Sequence, residues 1–354
     1  MNEPRRERNA APSWRVDTHV LRAALESELG SHFGQPCQIL HLERRVSPYC
    51  SSFALEELVV DLDNGVRLEL MFKDLSWQAL SDEARHTKLD FLYNPRREIE
   101  AYRGILGIYQ PDAPVCYGTV ANDQAGYYWL FLEKVSGLEL YQIGEFSTWL
   151  EVARALARMH SRSAAPTALL QAAPSLLRYN RDFYLTWIQR LAIELGNTTK
   201  ASPSPVRHSI EWLAERYRLV IPRLLALPLT LIHGEFYPPN VLVQKRDEHA
   251  AASLRVCPVD WEMAAIGPGL MDMAALVAGK WTDAERSSLA LAYFESSSGD
   301  NTPATIDEFL AALDCCRLHQ AIMWLSYFGR RRPYAGYVHD WLGEALGVAE
   351  KLEA

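Results

Sequence analysis

The chain has 354 residues, of which 49% are hydrophobic and 23% charged, and this composition excludes disordered and fibrous proteins. Its formal net charge of −8 argues against a nucleic-acid partner, because neutralising phosphates requires clustered Lys and Arg. No apolar run approaches the roughly 18 residues needed to span a bilayer, so we expect no membrane partner and a cytoplasmic location.

The first predicted element is a helix that follows a charged N-terminal tail. Residues 1–15 contain no apolar segment and predict disorder rather than a signal or an anchor. After Val16, apolar residues recur at helical spacing up to Gly30 and Gly34, which are expected to end the helix.

The hydrophobic period then changes to two, which predicts β-strands. Asp63-Asn64-Gly65 marks a hairpin turn between the second and third strands of an antiparallel meander. The three predicted strands cover residues 38–43, 53–62 and 66–73.

The remaining elements divide the chain into a mixed N-terminal part and a helical C-terminal part. Asn94-Pro95-Arg96-Arg97 begins a helix that is expected to end at Gly107, and two further strands are predicted at 115–120 and 127–132. Helical stripes follow at 148–160, 179–195, 206–227, 283–296, 305–328 and 338–353. We predict an α+β fold with an N-terminal lobe at 16–134 and a mainly helical lobe at 135–354.

Two short segments concentrate polar residues that suit phosphoryl transfer. The first reads His233-Gly234-Glu235-Phe236-Tyr237-Pro238-Pro239-Asn240, and the second reads Val259-Asp260-Trp261-Glu262. Phosphoryl transfer requires a carboxylate beside the attacking hydroxyl and oxygen ligands that hold Mg²⁺ against the phosphates of ATP. The two segments contain both kinds of group.

This pair of segments resembles the aminoglycoside phosphotransferase and choline kinase-like family, in which a His-Gly-Asp-x-x-x-x-Asn loop precedes an Asp-x-Glu or Asp-x-Asp segment. The resemblance extends to the runs at 155–160 and 267–275. It implies a protein kinase-like two-lobe fold and an ATP- and Mg²⁺-dependent enzyme. The implied acceptor is a hydroxyl of a small molecule, either an aminoglycoside-like antibiotic or another hydroxylated metabolite. This chain departs from the family at Glu235, where Asp is usual.

The resemblance assigns roles to residues of both segments. Glu235 becomes the base that orients or deprotonates the acceptor hydroxyl, and Asn240 and Asp260 become catalytic Mg²⁺ ligands. Glu262 either supports these ligands or faces the substrate, while His233 is expected to brace the loop rather than react. The extra methylene of Glu235 moves its carboxylate by about 1.5 Å. Either the loop or the substrate is adjusted to suit it, which we favour, or catalysis has been lost.

A nucleotide-binding lysine is implied at the end of the third strand. By resemblance, Lys73 contacts the α- and β-phosphates of ATP. A glutamate of the following helix then fixes the lysine head group. The Arg-Glu-x-x-x-Tyr pattern favours Glu98 for this role, with Glu100 as the alternative.

Other nucleotide contacts are implied by position in the chain. A serine-containing connection takes the place of a glycine-rich loop, so Ser47, Ser51 and Ser52 are candidates to cover the phosphates, although an ordinary polar turn explains them equally well. Adenine is expected to bind backbone atoms near Glu133 and Val135, where the chain crosses between the lobes.

Residues of the helical lobe are the candidates for binding the acceptor. Asp182 lies in an aromatic-rich segment, although helix packing explains most of its aromatic neighbours. Asp272, which opens a later helix, is interpreted as structural: it is expected to cap free N–H groups and to hold the 233–240 loop.

Two alternative functions differ from small-molecule phosphorylation. A protein kinase is disfavoured because the chain has no His-Arg-Asp, Asp-Phe-Gly or Ala-Pro-Glu segment and no glycine-rich loop. A catalytically silent nucleotide-binding or scaffold protein of the same fold is the remaining alternative.

Overall fold

The computed structural model describes residues 15–49, 52–163, 165–198, 204–245, 254–297, 305–328 and 339–352. The chain folds into two compact units. The first combines Met1–Gly107 with Pro114–Ser136, and the second combines Ile108–Ala113 with Gly137–Ala354. The predicted disordered tail lies outside the described residues except for Arg15.

The first unit is built on a five-stranded antiparallel sheet. Its strands are β1 (Ile39–Val46), β2 (Ala54–Leu62), β3 (Arg67–Asp74), β4 (Cys116–Asn122) and β5 (Tyr127–Glu133). Their order across the sheet is β1-β2-β3-β5-β4. The helices are α1 (Thr18–Phe33), α2 (Asp82–Thr87) and α3 (Pro95–Ala101), and α3 continues through a π turn at Tyr102–Leu106 into α4 (Gly107–Tyr109).

The helix ends follow from capping residues. The Asp17 carboxylate accepts N–H bonds from the first turn of α1, and Gly34 ends this helix with a left-handed φ of 69°. Of the two glycines predicted to end α1, Gly30 lies inside the helix. The predicted stop at Gly107 is wrong, because the helical turns continue through α4 to Tyr109.

One face of the sheet packs against α1. Leu21, Leu25 and Leu29 recur every fourth residue on a single face of this helix and are fully buried. They pack with sheet residues such as Phe72 and Trp129. Each fully buried side chain of this kind stabilises the fold by about 1.5–3 kcal/mol.

The second unit is mainly helical. Its long helices are α5 (Phe146–Ser161), α7 (Arg181–Thr198), α8 (Ser204–Leu225), α10 (Asp283–Ser296), α11 (Ile306–Phe328) and α12 (Trp341–Lys351), and α6 (Pro166–Ala172) and α9 (Leu270–Leu276) are shorter. The predicted α+β class is confirmed by this unit together with the sheet of the first. Within the described ranges, no helix is both long and apolar enough to cross a bilayer.

Short strands of the second unit position its polar segments. They are β6 (Leu138–Glu139), β7 (Leu177–Arg178), β8 (Leu229–Ile232), β9 (Val241–Lys245), β10 (Leu254–Pro258) and β11 (Ala265–Pro268). Strand β9 pairs with β10, and β8 pairs with β11, both antiparallel. The 233–240 loop joins β8 to β9, and the 259–264 segment joins β10 to β11. Two connections between the same two strand pairs must run beside each other.

Candidate functional site

In the first unit, the end of β3 presents Lys73 to Glu98 of α3. The Lys73 ammonium lies 2.7 Å from Glu98 Oε2, and the two residues are only 8% and 1% exposed. Side chains alternate along a strand, so Phe72 packs toward α1 while Lys73 points to the other face of the sheet. Glu100, the alternative partner, is partly exposed. A buried ion pair adds little to stability because desolvation offsets the attraction, so this pair is a candidate for a functional role.

The serine-containing connection between β1 and β2 is only partly described. Ser47 is 2% exposed, and its hydroxyl accepts the Tyr49 N–H at 3.3 Å, so it is bonded within the connection. Ser51 lies outside the described residues. Ser52 is partly exposed, and its carbonyl accepts the Ser81 N–H at 2.9 Å. Of the three candidate serines, Ser52 is therefore the one that the structure both describes and shows to be partly exposed.

The end of β5 contains the residues predicted to bind adenine. The Glu133 N–H bonds to the Val115 carbonyl at 2.8 Å, and Glu133 Oε2 accepts the Val115 N–H at 3.0 Å. The Lys134 N–H bonds to the Glu69 carbonyl at 3.1 Å. Val135 follows beyond the strand and is partly exposed. The Glu133 N–H is therefore bonded to the Val115 carbonyl, which leaves Val135 as the candidate backbone donor for adenine.

In the second unit, His233 is fully buried at the start of the 233–240 loop. Its Nε2 lies 2.8 Å from the Val259 carbonyl, which can only accept, and its Nδ1 accepts the Glu235 N–H at 3.3 Å. These partners fix the tautomer with the proton on Nε2. The imidazole therefore joins the 233–240 loop to the 259–264 segment.

One buried carboxylate, Asp272 of α9, binds the beginning of the 233–240 loop. Its Oδ2 accepts the His233 N–H at 2.7 Å, and its Oδ1 accepts the Gly234 N–H at 2.8 Å. His160 of α5 donates from Nε2 to Oδ2 at 3.1 Å, and the Tyr293 hydroxyl lies 2.7 Å from His160 Nδ1. Burial and, second, the charge of Asp272 raise the pKa of Tyr293, so its hydroxyl keeps the proton it donates.

This network corrects the expectation that Asp272 caps its own helix. The N-cap position of α9 is Gly269, and no side chain caps it. The Asp272 carboxylate instead bonds to the loop, which is the second role predicted for it. Neither His160 nor Tyr293 was identified from the sequence, because the bonds join residues 112 and 133 positions apart.

Gly234 marks a close approach between the 233–240 loop and the 259–264 segment. Its φ is +85°, a region that residues with a side chain rarely adopt. A Cβ built on Gly234 would lie 2.4 Å from the Met263 carbonyl oxygen. Both the backbone conformation and the available space therefore require glycine here.

Backbone hydrogen bonds fix Glu235, the candidate base, on both sides. Its N–H donates to His233 Nδ1, and its carbonyl accepts the Tyr237 N–H at 2.7 Å and the Asn240 Nδ2–H at 3.0 Å. The residue is partly exposed. Burial and, second, the Glu235 charge raise the pKa of Tyr237.

Asn240 and Asp260 lie at the same end of the β9–β10 hairpin. The last strand pair joins Val241 to Pro258, and beyond it the Val259 N–H donates to the Asn240 carbonyl at 2.9 Å. Because the Asn240 Nδ2 bonds to Glu235, the amide oxygen is directed away from that bond. Asp260 is partly exposed, with φ 65° and ψ 64°. The structure thus brings the two predicted metal ligands together in the second unit.

The chemistry of this donor set fits Mg²⁺ in part. An amide oxygen and a carboxylate are hard ligands of the kind that Mg²⁺ prefers. Among the described residues, no group of three or more His, Cys, Asp or Glu side chains could hold a metal ion. A cation at Asn240 and Asp260 would therefore need further oxygens from phosphate or water, which is usual for Mg²⁺. Glu262 is partly exposed and lies two residues beyond Asp260.

An aromatic cluster beside Tyr237 was not assigned to the site from the sequence. The Tyr237 ring is 5.3 Å from Trp324, which stacks on Trp341 at 5.6 Å, and Gln320 bonds to the Tyr237 hydroxyl. Asp182, the predicted acceptor residue, is exposed in the first turn of α7. The position of Tyr237 inside the 233–240 motif was the available signal for this cluster.

Comparison with protein families identifies a match over most of the chain. The sequence profile of the phosphotransferase enzyme family (APH) matches residues 87–309, which is more than half of the 354 residues. No curated protein sequence matches the chain significantly.

Several solved structures share the fold. An aminoglycoside 2′-phosphotransferase-IIIa in complex with GDP has a TM-score of 0.55 at 12% identity, over 94% of this chain and 98% of that one. A microcompartment-associated aminopropanol kinase has a TM-score of 0.58 at 15% identity, over 88% and 92%. A choline kinase from Streptococcus pneumoniae has a TM-score of 0.55 at 13% identity, over 94% and 100%. At these identities the likeness shows a common fold.

Proposed function

Because this chain belongs to the phosphotransferase enzyme family, we propose that it transfers the terminal phosphoryl group of ATP, with Mg²⁺, to a hydroxyl of a small molecule. The observation that carries this proposal is the buried ion pair of Lys73 and Glu98, 2.7 Å apart. Desolvating two charges is unfavourable, and a lysine held in this way is suited to an anionic ligand such as a phosphate chain.

The proposed reaction uses groups of several kinds. Lys73 donates to phosphate oxygens and is oriented by Glu98. Asn240 and Asp260 would hold Mg²⁺, which neutralises charge on the phosphates when bound. The acceptor oxygen forms a bond to the terminal phosphorus, the bond from that phosphorus to the leaving ADP oxygen breaks, and the acceptor proton passes to Glu235. Because the transition state is largely dissociative, Glu235 acts mainly by orienting the hydroxyl.

The 233–240 loop accommodates a glutamate in this role. His233, Tyr237 and Asn240 bond to the backbone of residue 235. These three bonds use only backbone atoms of that residue, so one extra methylene changes the reach of the side chain without removing any of them. This supports an active enzyme over a catalytically silent one.

The proposed acceptors are aminoglycoside-like antibiotics and other small hydroxylated metabolites. The family match and the names of the structural relatives, which include an aminoglycoside phosphotransferase, an aminopropanol kinase and a choline kinase, support this class. An aminoglycoside, an aminopropanol and choline each carry both hydroxyl and nitrogen groups. A cytoplasmic location, where ATP is available, is consistent with the proposal.

Release of ADP from purified protein tests the proposal. The assay presents MgATP with aminoglycosides, other hydroxylated antibiotics, amino alcohols and sugars, one at a time. We expect acceptor-dependent release that EDTA abolishes and that Lys73→Met lowers by about a thousandfold, as for loss of one group that stabilises transition-state charge. Failure of the wild-type protein to bind MgATP in calorimetry would reject the enzyme. Binding of MgATP that neither releases ADP nor depends on Glu235 would favour the silent nucleotide-binding protein.

A further inference from the structure

Hydrogen bonds of one imidazole connect α10 to the start of the 233–240 loop. The Tyr293 hydroxyl of α10 lies 2.7 Å from His160 Nδ1, and His160 Nε2 lies 3.1 Å from Asp272 Oδ2. Asp272 in turn accepts the N–H groups of His233 and Gly234 at 2.7 and 2.8 Å. Tyr293, His160 and Asp272 are 6%, 8% and 0% exposed, so the whole series of bonds is shielded from solvent.

The partners of His160 determine where its proton lies. A carboxylate can only accept a hydrogen bond, so the contact with Asp272 requires a proton on His160 Nε2. In a neutral imidazole Nδ1 is then an acceptor, and the Tyr293 hydroxyl is the donor that bonds to it. The bond made by one ring nitrogen selects which nitrogen carries the proton. Tyr293 therefore selects the tautomer of His160 that donates to Asp272.

The bond between Tyr293 and His160 requires a glycine beside it. Gly269, which precedes α9, has an ordinary right-handed backbone with a φ of −56°, so its conformation alone does not require glycine. A Cβ built on Gly269 would lie 2.8 Å from His160 Nδ1 and 2.9 Å from the Tyr293 hydroxyl oxygen. A methyl group at this position would therefore push apart the two atoms that form the bond.

Helix packing holds the Tyr293 side chain in place. Helix α10 packs along α5, the helix that carries His160. The Tyr293 ring also lies against the Phe309 ring of α11, with 5.7 Å between the ring centroids. A side chain held by packing on several elements presents its polar group in a fixed direction. The hydroxyl is thus directed at His160 by the fold of the second unit.

We propose that Tyr293 is a positioning residue for the proposed phosphoryl transfer, acting on the 233–240 loop through His160 and Asp272. Without the Tyr293 hydroxyl, the buried Nδ1 of His160 loses its donor, which is unfavourable. The ring then turns or exchanges its proton between nitrogens, and an unprotonated Nε2 repels the Asp272 carboxylate. Asp272 would hold the loop less firmly, and Glu235 would lose alignment. This inference rests on the proposed function, since it takes Glu235 to orient the acceptor.

The variant Tyr293→Phe tests the inference, because it removes the hydroxyl and keeps the ring. With an acceptor found in the assay above, kcat for ADP release should fall about tenfold, since alignment is weakened rather than lost. The KM for MgATP should stay unchanged, because Lys73 belongs to the first unit. In ¹H–¹⁵N spectra of glycine-labelled protein, the Gly234 amide signal should shift. Gly269→Ala should reproduce these results with the tyrosine intact.

Tyr217→Phe is the matched control in the same unit. It removes another buried hydroxyl, which lies 2.5 Å from His319 Nδ1 and has no bond to Asp272. Tyr217→Phe and Tyr293→Phe should each lower the melting temperature by about 2–5 °C. Only Tyr293→Phe should change kcat and the Gly234 signal, whereas a purely structural role would make the two variants alike.

The inference is overturned if Tyr293→Phe and Gly269→Ala keep the kcat and the Gly234 signal of the wild type. It is also overturned if Tyr217→Phe changes both to the same extent as Tyr293→Phe. If the wild type releases no ADP with any acceptor, the proposed function fails, and the Gly234 signal alone decides whether Tyr293 positions the loop. A shift in Tyr293→Phe that is absent from Tyr217→Phe would then support this role, and an unshifted signal would exclude it.

Discussion

The two units hold their candidate functional residues by different means. In the first unit, Lys73 and Glu98 meet through side chains on a strand and a helix, and the interaction is one buried ion pair. In the second unit, Asp272 and His233 accept hydrogen bonds from backbone N–H groups of the 233–240 loop, and the His233 imidazole joins the loop to the Val259 carbonyl. The first arrangement depends on the charge of particular side chains. The second uses side chains to hold backbone groups of the loop, so we expect it to persist when the side chain at residue 235 is changed.

The largest effect is expected from breaking the ion pair of the first unit. Glu98→Leu leaves Lys73 buried without this carboxylate, and the free energy of unfolding should fall by about 3–5 kcal/mol. The double variant Lys73→Met/Glu98→Leu replaces both charges by apolar side chains and should recover most of that loss. Chemical denaturation followed by circular dichroism measures both values, and neither variant should release ADP. Equal stability of Glu98→Leu and wild type would contradict the role given to the pair.

The next largest effect is expected from a substitution that disturbs the backbone geometry of the second unit. In Gly234→Ala, the added Cβ would lie 2.4 Å from the Met263 carbonyl oxygen, and the backbone would have to keep a φ of +85°. The substitution should lower the free energy of unfolding by about 3 kcal/mol. Gly65→Ala is the matched control, since Gly65 has a φ of +82° with open space around it. It should lose only about 1 kcal/mol. Denaturation of both variants separates the effect of the contact from that of the backbone conformation, and equal losses would exclude the contact.

Changes at Glu235 sharpen the contrast between side chain and backbone. Glu235→Asp and Glu235→Gln should each lower kcat by about a hundredfold, the first by misplacing the carboxylate and the second by removing it. Both should unfold like the wild type, because backbone bonds hold the loop. Steady-state ADP release and denaturation provide the two readouts. An unchanged kcat in Glu235→Gln would remove this residue from the mechanism.

Lowering the pH should change the stability of the two units in opposite directions. Burial lowers the pKa of His319 in the second unit from 6.5 to about 3. Between these two pH values the unfolded chain binds a proton that the folded chain does not. The free energy of unfolding therefore decreases as the pH is lowered, by about 2 kcal/mol at pH ~5. Burial raises the pKa of Asp74 in the first unit, so this carboxyl takes up its proton at higher pH when folded, and acid favours the folded state there.

Hydrogen exchange measured by mass spectrometry distinguishes these contributions. Between about pH 7 and about pH 5, after correction for intrinsic exchange rates, protection should decrease in peptides from α11 more than in peptides from β3. His319→Gln keeps an acceptor for the Tyr217 hydroxyl, which lies 2.5 Å from His319 Nδ1, and should remove the difference. An α11 response to pH that persists in this variant would exclude His319 as its cause.

The sequence predicts the structure well where the signal is local. Alternation in the first unit predicts β2 and β3 to within a residue or two, and the helical stripe at 283–296 matches α10 in full. The two polar motifs bring Asn240 and Asp260 together because β9 and β10 pair directly beside them. The π turn at Tyr102–Leu106 and the short strand β6 have no comparable periodicity, since both depend on tertiary contacts.

The sequence is least informative where function depends on long-range hydrogen bonds. Asp272 was expected to act partly on its own helix, yet its partners are His160, His233 and Gly234, which lie 112, 39 and 38 positions away. The Tyr293 hydroxyl likewise reaches His160 across 133 positions. Propensity describes a residue with its chain neighbours, so contacts of this kind appear only once the fold is known.

The left-handed backbone at Asp260 restricts how this protein can evolve. Asp260 is the only non-glycine residue with positive φ among those that the structure describes. Gly, Asn and Asp adopt this conformation most readily, so these are the amino acids that we expect most often at this position. Glycine would relieve the backbone and abolish the carboxylate. In any set of relatives, the residue at this position should therefore record whether selection maintains the proposed metal ligand.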